Sequence, residues 1–269
     1  MSKSKNLWAV FAALALCTSS ANFARAADDR IVTDRPDAVE SSDVVGKGRL
    51  QIETSMNYER NNNAGVKTRT YTTPTLFRLG VSENFELRIE TDGRVRERTE
   101  VLGISTTQRG WADTAIGFKW HMQDGDEKTG KPGIGVLVHA DLDSGSRQFR
   151  GQGVRPSARV VFEWELPNDM SLGMMPGLIR DKDAGTGERF TAGIFAVVLG
   201  KELNDSTRGF AEIAATQIAR QKYGGTITTF NVGAAHLLTK STQIDAALRF
   251  GLNKDSPDFG ATVGLSVKF

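Results

Sequence analysis

The side chains able to do chemistry in this sequence are mostly charged, and they recur at alternate positions. Glu53, Arg88, Glu90, Asp113, Lys119, Asp141, Arg159, Glu163, Glu212, Asp245, Arg249 and Lys268 each stand between apolar or small uncharged neighbours, as does His139. Successive residues of a β-strand point to opposite faces, so this spacing gathers the charges on one face and leaves the other apolar. Opposite signs held close together on one surface brace it as salt-bridged belts. In the lining of a pore they also set which solutes pass.

Other chemistries have less behind them. Gly125 to Lys131 has the spacing of a phosphate-binding loop, but Pro132 stands where a Ser or Thr would meet magnesium, and no helical pattern follows. The acidic run Asp124 to Glu127 lacks the ligand spacing of a calcium loop. A metal site needs converging ligands. Of the three histidines, His121 and His139 share a parity on neighbouring segments, so a pair is geometrically open there. A Ser–His lipase site on an apolar outer face would need an outward histidine, and only His236 shares the parity of Phe230 and Val232. No catalytic residue, metal or cofactor is assigned.

Twelve segments with this alternation must position the charges. The first is Leu50 to Tyr58, with Leu50, Ile52, Thr54, Met56 and Tyr58 on one face. The others begin near Tyr71, Phe85, Ala112, Ile134, Ala158, Met170, residue 189, Ala211, Thr228, Ile244 and Phe259. The segment from 189 to 200 is apolar at both parities, so its facing is not set by pattern. No helical period longer than two turns appears after residue 27. Short polar turns follow the second, sixth, eighth and tenth strands, at Val81–Phe85, Leu166–Met170, Leu203–Thr207 and Leu238–Thr242. A longer connection, 123–132, lies on the same side. The opposite side carries 60–67, 93–109, 143–155, 180–188, 218–225 and 253–257, read as loops.

A soluble sandwich would alternate too, with the apolar face as its core. An even strand count, segment lengths that fit a tilted membrane crossing, and short turns alternating with long loops favour a transmembrane barrel instead. Its apolar face meets lipid and its charges line the lumen. A mean hydropathy of −0.31 is compatible with this, because only alternate residues touch lipid.

The chain of 269 residues opens with Lys3 and Lys5, an apolar run from Leu7 to Leu16, and a small-x-small site at Ala24 to Ala26. This is the pattern of a cleaved signal peptide, residues 1–26. Cys17 is not an acylation site, because Leu16 before it is not small. Cleavage removes Lys3, Lys5 and Arg25, leaving 31 of the 34 basic residues against 32 acidic ones. That balance, with no concentrated basic footprint, points away from nucleic acid. Cleavage also removes the single cysteine, excluding disulfides and thiol chemistry. Residues 27–48 are polar and without period: an irregular arm ahead of the barrel, 49–269. It carries Asp34, Arg35, Asp37 and Glu40, and is expected to fold into the lumen as a partial plug, with Arg35 meeting wall carboxylates.

The final strand ends on Phe269, which resembles the closing strand of bacterial outer-membrane barrels, read by their insertion machinery. Thr33 to Asp37 (TDRPD), Gly48 to Glu53 (GRLQIE), Phe210 to Glu212, Gln243 to Asp245, Gly251–Leu252, Ser256 to Asp258 and Val263 to Phe269 (VGLSVKF) resemble the meta-pathway phenol-degradation transporter family. The resemblance spans nearly all of the mature chain and implies an outer-membrane pore or transporter of a Gram-negative cell. The expected partners are outer-membrane lipid, the insertion machinery and a small solute, aromatic compounds included. A structural or ligand-binding protein acting through its outer loops is the alternative, and an outer-membrane enzyme stands behind both.

Overall fold

The computed structural model describes residues 30–183 and 185–269. The expected signal peptide, 1–26, lies outside them, as do the first residues of the arm. Six strands come first: β1 Leu50–Asn63, β2 Val66–Thr72, β3 Thr75–Ser82, β4 Phe85–Thr91, β5 Arg94–Val101 and β6 Ile104–Trp111. Next are β7 Thr114–Gln123, β8 Gly133–Asp141, β9 Arg155–Leu166, β10 Met170–Lys182 and β11 Arg189–Asn204. β12 Thr207–Ile218, β13 Thr226–Thr239, β14 Thr242–Gly251 and β15 Phe259–Lys268 complete the chain.

Twelve of these strands, β1, β3, β4 and β7 to β15, form a closed antiparallel barrel, because β15 pairs with both β14 and β1. The all-β, up-and-down barrel expected from the alternation is the fold of the chain. The seam runs from Gln51 opposite Lys268 to Arg60 opposite Phe259. It is pinned at its end by the Phe269 N–H donating to the Leu50 carbonyl at 2.8 Å.

β2, β5 and β6 continue β3, β4 and β7 past breaks at Thr73–Pro74, Asp92–Gly93 and Ala112–Asp113. Together with the far half of β1 they build a four-stranded extension beyond one end of the barrel. Three expectations are corrected here. Residues 93–109 are not a loop but the β5–β6 hairpin, turning at Leu102–Gly103. The connection 60–67 shrinks to a turn at Ala64–Gly65. The single strand expected from Tyr71 to Leu79 is two strands, divided at Pro74, which has no N–H to give a ladder. The hairpin escaped the periodicity test because both of its faces are polar. It stands clear of lipid, so nothing demands an apolar side.

The barrel end with the short turns, at Glu83–Asn84, Pro167–Asp169, Asp205–Ser206 and Lys240–Ser241, is the periplasmic end. On the barrel exterior Met56, Phe77, Leu87, Ile89, Ile116, Phe195, Ile213, Val232, Leu248 and Val263 are exposed. Water would penalise such a surface; a bilayer does not. In β11 Phe190, Ala192, Ala196 and Val198 are buried while Phe195 and Leu199 are exposed, so even-numbered residues face the lumen.

Candidate functional site in the barrel lumen

Residues 30–49 run inside the barrel without regular structure, so their backbone polar groups need partners from the wall. Wall carboxylates take the N–H groups. Glu53 accepts from Asp34 at 3.0 Å, Glu212 from Ala38 and Val39, Glu163 from Ser42 at 2.6 Å, and Glu86 from Val45 at 2.9 Å. Wall cations and amides serve the carbonyls. Arg78 donates to the Val32 and Asp43 carbonyls, Lys119 to that of Ser41, Gln51 to that of Val32, and Lys268 to that of Arg30.

The ion pairs follow the same rule. Arg88 holds Asp34 at 2.6 Å, Glu86 at 2.9 Å and Glu40 at 2.6 Å. Lys119 reaches Asp34 at 2.6 Å, and Arg159 reaches Glu40 at 2.7 Å. Arg78 spans Glu53 at 3.0 Å and Glu86 at 2.8 Å. In this connected set the wall contributes four cations, Arg78, Arg88, Lys119 and Arg159, but only two carboxylates, Glu53 and Glu86. The arm supplies the missing two, Asp34 and Glu40. Burial pushes the Asp34 carboxyl up, but Arg78, Lys119 and Arg88 outweigh it and hold the group well below the usual carboxylate range. Glu40 is likewise lowered: burial and the neighbouring Asp34 raise it, and Arg88 and Arg159 prevail.

Further round the barrel, Arg35 of the arm donates to Asp245 at 3.0 Å and to Thr262 at 2.9 Å. Asp37 pairs with Arg208 of β12 at 3.0 Å. Arg249 lies 3.7 Å from Glu59, and Asp113 binds Arg155 at 3.0 Å while accepting the backbone N–H groups of Ser144, Gly145 and Gly151. Asp141 and Glu90 line an outer cavity. His139 accepts from Arg88 at 3.1 Å, whereas His121 bonds the Ser42 carbonyl and Asp124. The two imidazoles are not a pair: His139 stands opposite Gly117 and His121 opposite Gly135, four residues apart along β7.

Between these polar residues, β8 to β14 also contribute an apolar cluster to the lumen. Leu137, Val161, Met175, Ala196, Val198, Phe210, Ala214 and Ala247 form one buried cluster, and Val39 of the arm packs into it. Gly173 makes room, since a Cβ there would come within 2.8 Å of Val198 and 3.0 Å of Val39.

Three cavities flank the arm, one of them, about 760 Å3, beside Ser41, Ser42, Asp43 and His121. The outer one, about 400 Å3, is lined by Glu90, Asp113, Asp141, Phe149, Arg155 and Arg159 among others. The inner one, about 310 Å3, opens among Asp205, Ser206, Arg208 and Gln243 near the periplasmic turns. Arg35 lines both the outer and the inner one. Arg78 was the main residue missed from the sequence. Its inward parity between Phe77 and Leu79 was available; its ties to two segments far away in sequence were not.

The profile of the family described as "Putative MetA-pathway of phenol degradation" matches residues 33–269. The chain belongs to this family. No curated protein sequence matches it. Among solved structures, the COG4313 outer membrane channel from Pseudomonas putida F1 is similar with a TM-score of 0.60 and 10% identity, over 85% of this chain and 98% of that one. The likeness is one of fold, and the fold is that of an outer-membrane barrel. The translocator domain of the autotransporter NalP from Neisseria meningitidis follows at TM-score 0.49 and 13% identity, over 83% and 89% of the two chains. The CymD monoaromatic hydrocarbon channel has a TM-score of 0.41 and 9% identity, over 83% and 88%.

Proposed function

We propose that this family member is a non-enzymatic outer-membrane channel that passes small aromatic solutes, with its N-terminal arm as a lumen plug and Arg35 at the narrowest point. The observation that carries the reading is that Arg35 alone of the arm's charged residues lines both the outer and the inner cavity, held by Asp245 and Thr262 between them. The apolar cluster around Val39 supports an aromatic cargo, since it is covered by the arm and would offer a flat ring an apolar surface once the arm moves away. The polar half of the wall, tied up in holding the arm, acts as a brace. The signal peptide and Phe269 deliver the chain to the membrane and to its insertion machinery on this reading.

The test is planar-bilayer conductance and liposome swelling with phenol, benzoate and a sugar of similar mass. The wild-type barrel should give small conductance and admit the aromatics faster than the sugar. Arg35→Ala should raise conductance several-fold. A barrel that stays sealed to every solute, with or without Arg35, refutes the channel reading.

A further inference from the structure

The four-stranded extension presents a face that the lumen does not explain. On its outward side the register sets Arg60 opposite Arg69, and Arg69 opposite Arg98. One step nearer the membrane Tyr58 stands opposite Tyr71, Tyr71 opposite Arg96, and Arg96 opposite Arg109. Arg94 lies opposite Trp111 one step lower again. The six arginines are exposed, and none has a carboxylate within ion-pair distance among the described residues. The one acid at this parity on these strands, Glu100, is taken by Lys67 at 3.5 Å.

Like charges placed directly opposite one another across a sheet are destabilising. Two adjacent rows of them, with their acids elsewhere, are a surface short of anions. An arginine fork matches phosphate oxygens in a bidentate manner, and neighbouring forks can share one phosphate. Immediately below the rows is a groove of about 540 Å3 in which Arg94, Arg96 and Arg109 meet Tyr58, Tyr71, Met56, Ala261 and Val263. Met56 and Val263 belong to the lipid-facing surface of β1 and β15. The tyrosine rings lie 5.0 Å apart between centroids, tilted by 44°, at the level where outer-membrane barrels carry an aromatic girdle. Arg69 and Arg98 lie about 7 Å above them, two residues along the strands.

We infer that this face binds a phosphorylated, multiply acylated glycolipid of the outer leaflet: phosphates on the arginine rows, an acyl chain in the Tyr58–Tyr71 groove. A free phosphate would leave the groove empty, and a neutral lipid would leave the arginines facing one another. Only a molecule with both parts at this spacing fills the site. The inference rests on insertion in the outer membrane and is independent of what crosses the lumen.

The test begins with the wild-type barrel, refolded in detergent and free of lipid. It is titrated with lipopolysaccharide, with dephosphorylated lipopolysaccharide, and with phosphatidylglycerol, by native mass spectrometry. Intact lipopolysaccharide should bind at least tenfold tighter than either alternative. Equal binding of the dephosphorylated form, or of phosphatidylglycerol, overturns the proposal. The triple variant Arg69→Gln, Arg96→Gln, Arg98→Gln should lose at least tenfold in lipopolysaccharide affinity while keeping the heat-modifiable gel shift of a closed barrel. A control triple on outer loops, Arg147→Gln, Arg150→Gln, Arg220→Gln, should bind as wild type. Unchanged affinity in the folded first triple refutes the assignment of these residues.

Discussion

The two sides of the lumen hold the same arm by different physics. Around β1, β3, β4 and β7 the arm is gripped by buried charges, with Arg78, Arg88 and Lys119 closing on Asp34. Around β8 to β12 hydrocarbon joins the polar contacts made by Arg159, Glu163, Arg208 and Glu212, with Val39 set among Leu137, Val161 and Val198. The charged side is directional and unforgiving, since removing one member leaves the others buried and unpaired. The apolar side is non-directional and gives way gradually. One side fixes where the arm sits; the other adds contact that tolerates small displacements.

The largest effect should come from breaking the charged side. Asp34→Asn leaves Lys119 without its carboxylate partner and takes one of three from Arg88, and should cost about 3–5 kcal/mol. The readout is labelling at Val39→Cys, introduced into a chain in which Cys17→Ser removes the one other thiol. A maleimide should react much faster in the Asp34→Asn background than in the parent. Equal rates would mean that the hydrocarbon side holds the arm unaided. Next comes Leu137→Ala, which should lower the barrel's thermal or urea stability by about 2–4 kcal/mol through the cavity it leaves. Conductance should rise modestly, and aromatic flux should gain less than sugar flux. Val39→Ala, removing two buried methyl groups, should cost about 1–2 kcal/mol and leave Arg35 in place.

The smallest effect should come from mild acid. Asp34 and Glu40 are held below their ordinary values, so the stability they lend the docked arm is fully present above the undocked values near 3.8 and 4.5. It is lost only as pH falls through the lower docked values. These two carboxyls should therefore contribute no change in conductance between pH 8 and about 5, and a loss of seating only at greater acidity. A rise between pH 7 and 5 that Asp34→Asn or Glu40→Gln abolishes would overturn this.

Much of the barrel was legible in the sequence because lipid on one side and polar lining on the other write an alternation into each strand. Ile244 to Leu252 is a clear example. Where the two sides do not differ, the signal fails. β11 could not be faced from its residues because it is apolar toward lipid and apolar again toward the cluster around Val198. β5 and β6 were read as loop because both of their sides are wet. The arm's position could be guessed from its charges and from Arg35. Its partners could not, because Asp34 meets Lys119, and Ala38 meets Glu212, across separations that no local pattern encodes. The charge balance between arm and wall becomes visible only once those contacts are known.

Both ends of the arm are fastened at the same rim of the barrel. The Ile31 N–H donates to the Lys240 carbonyl in the β13–β14 turn, and the Gly48 N–H donates to the Gly80 carbonyl near the base of β3. Between these points the chain dips inward and returns, like a finger bent into a ring. No free end has to be threaded through the closed seam, so the finger can enter after the ring has formed. It can also be drawn out by tension from the periplasmic side. A force on residue 30 would first load the Arg30 carbonyl on Lys268 and the Ile31 N–H on Lys240, then the Val32 carbonyl on Gln51 and Arg78, and only then Asp34 and Arg35.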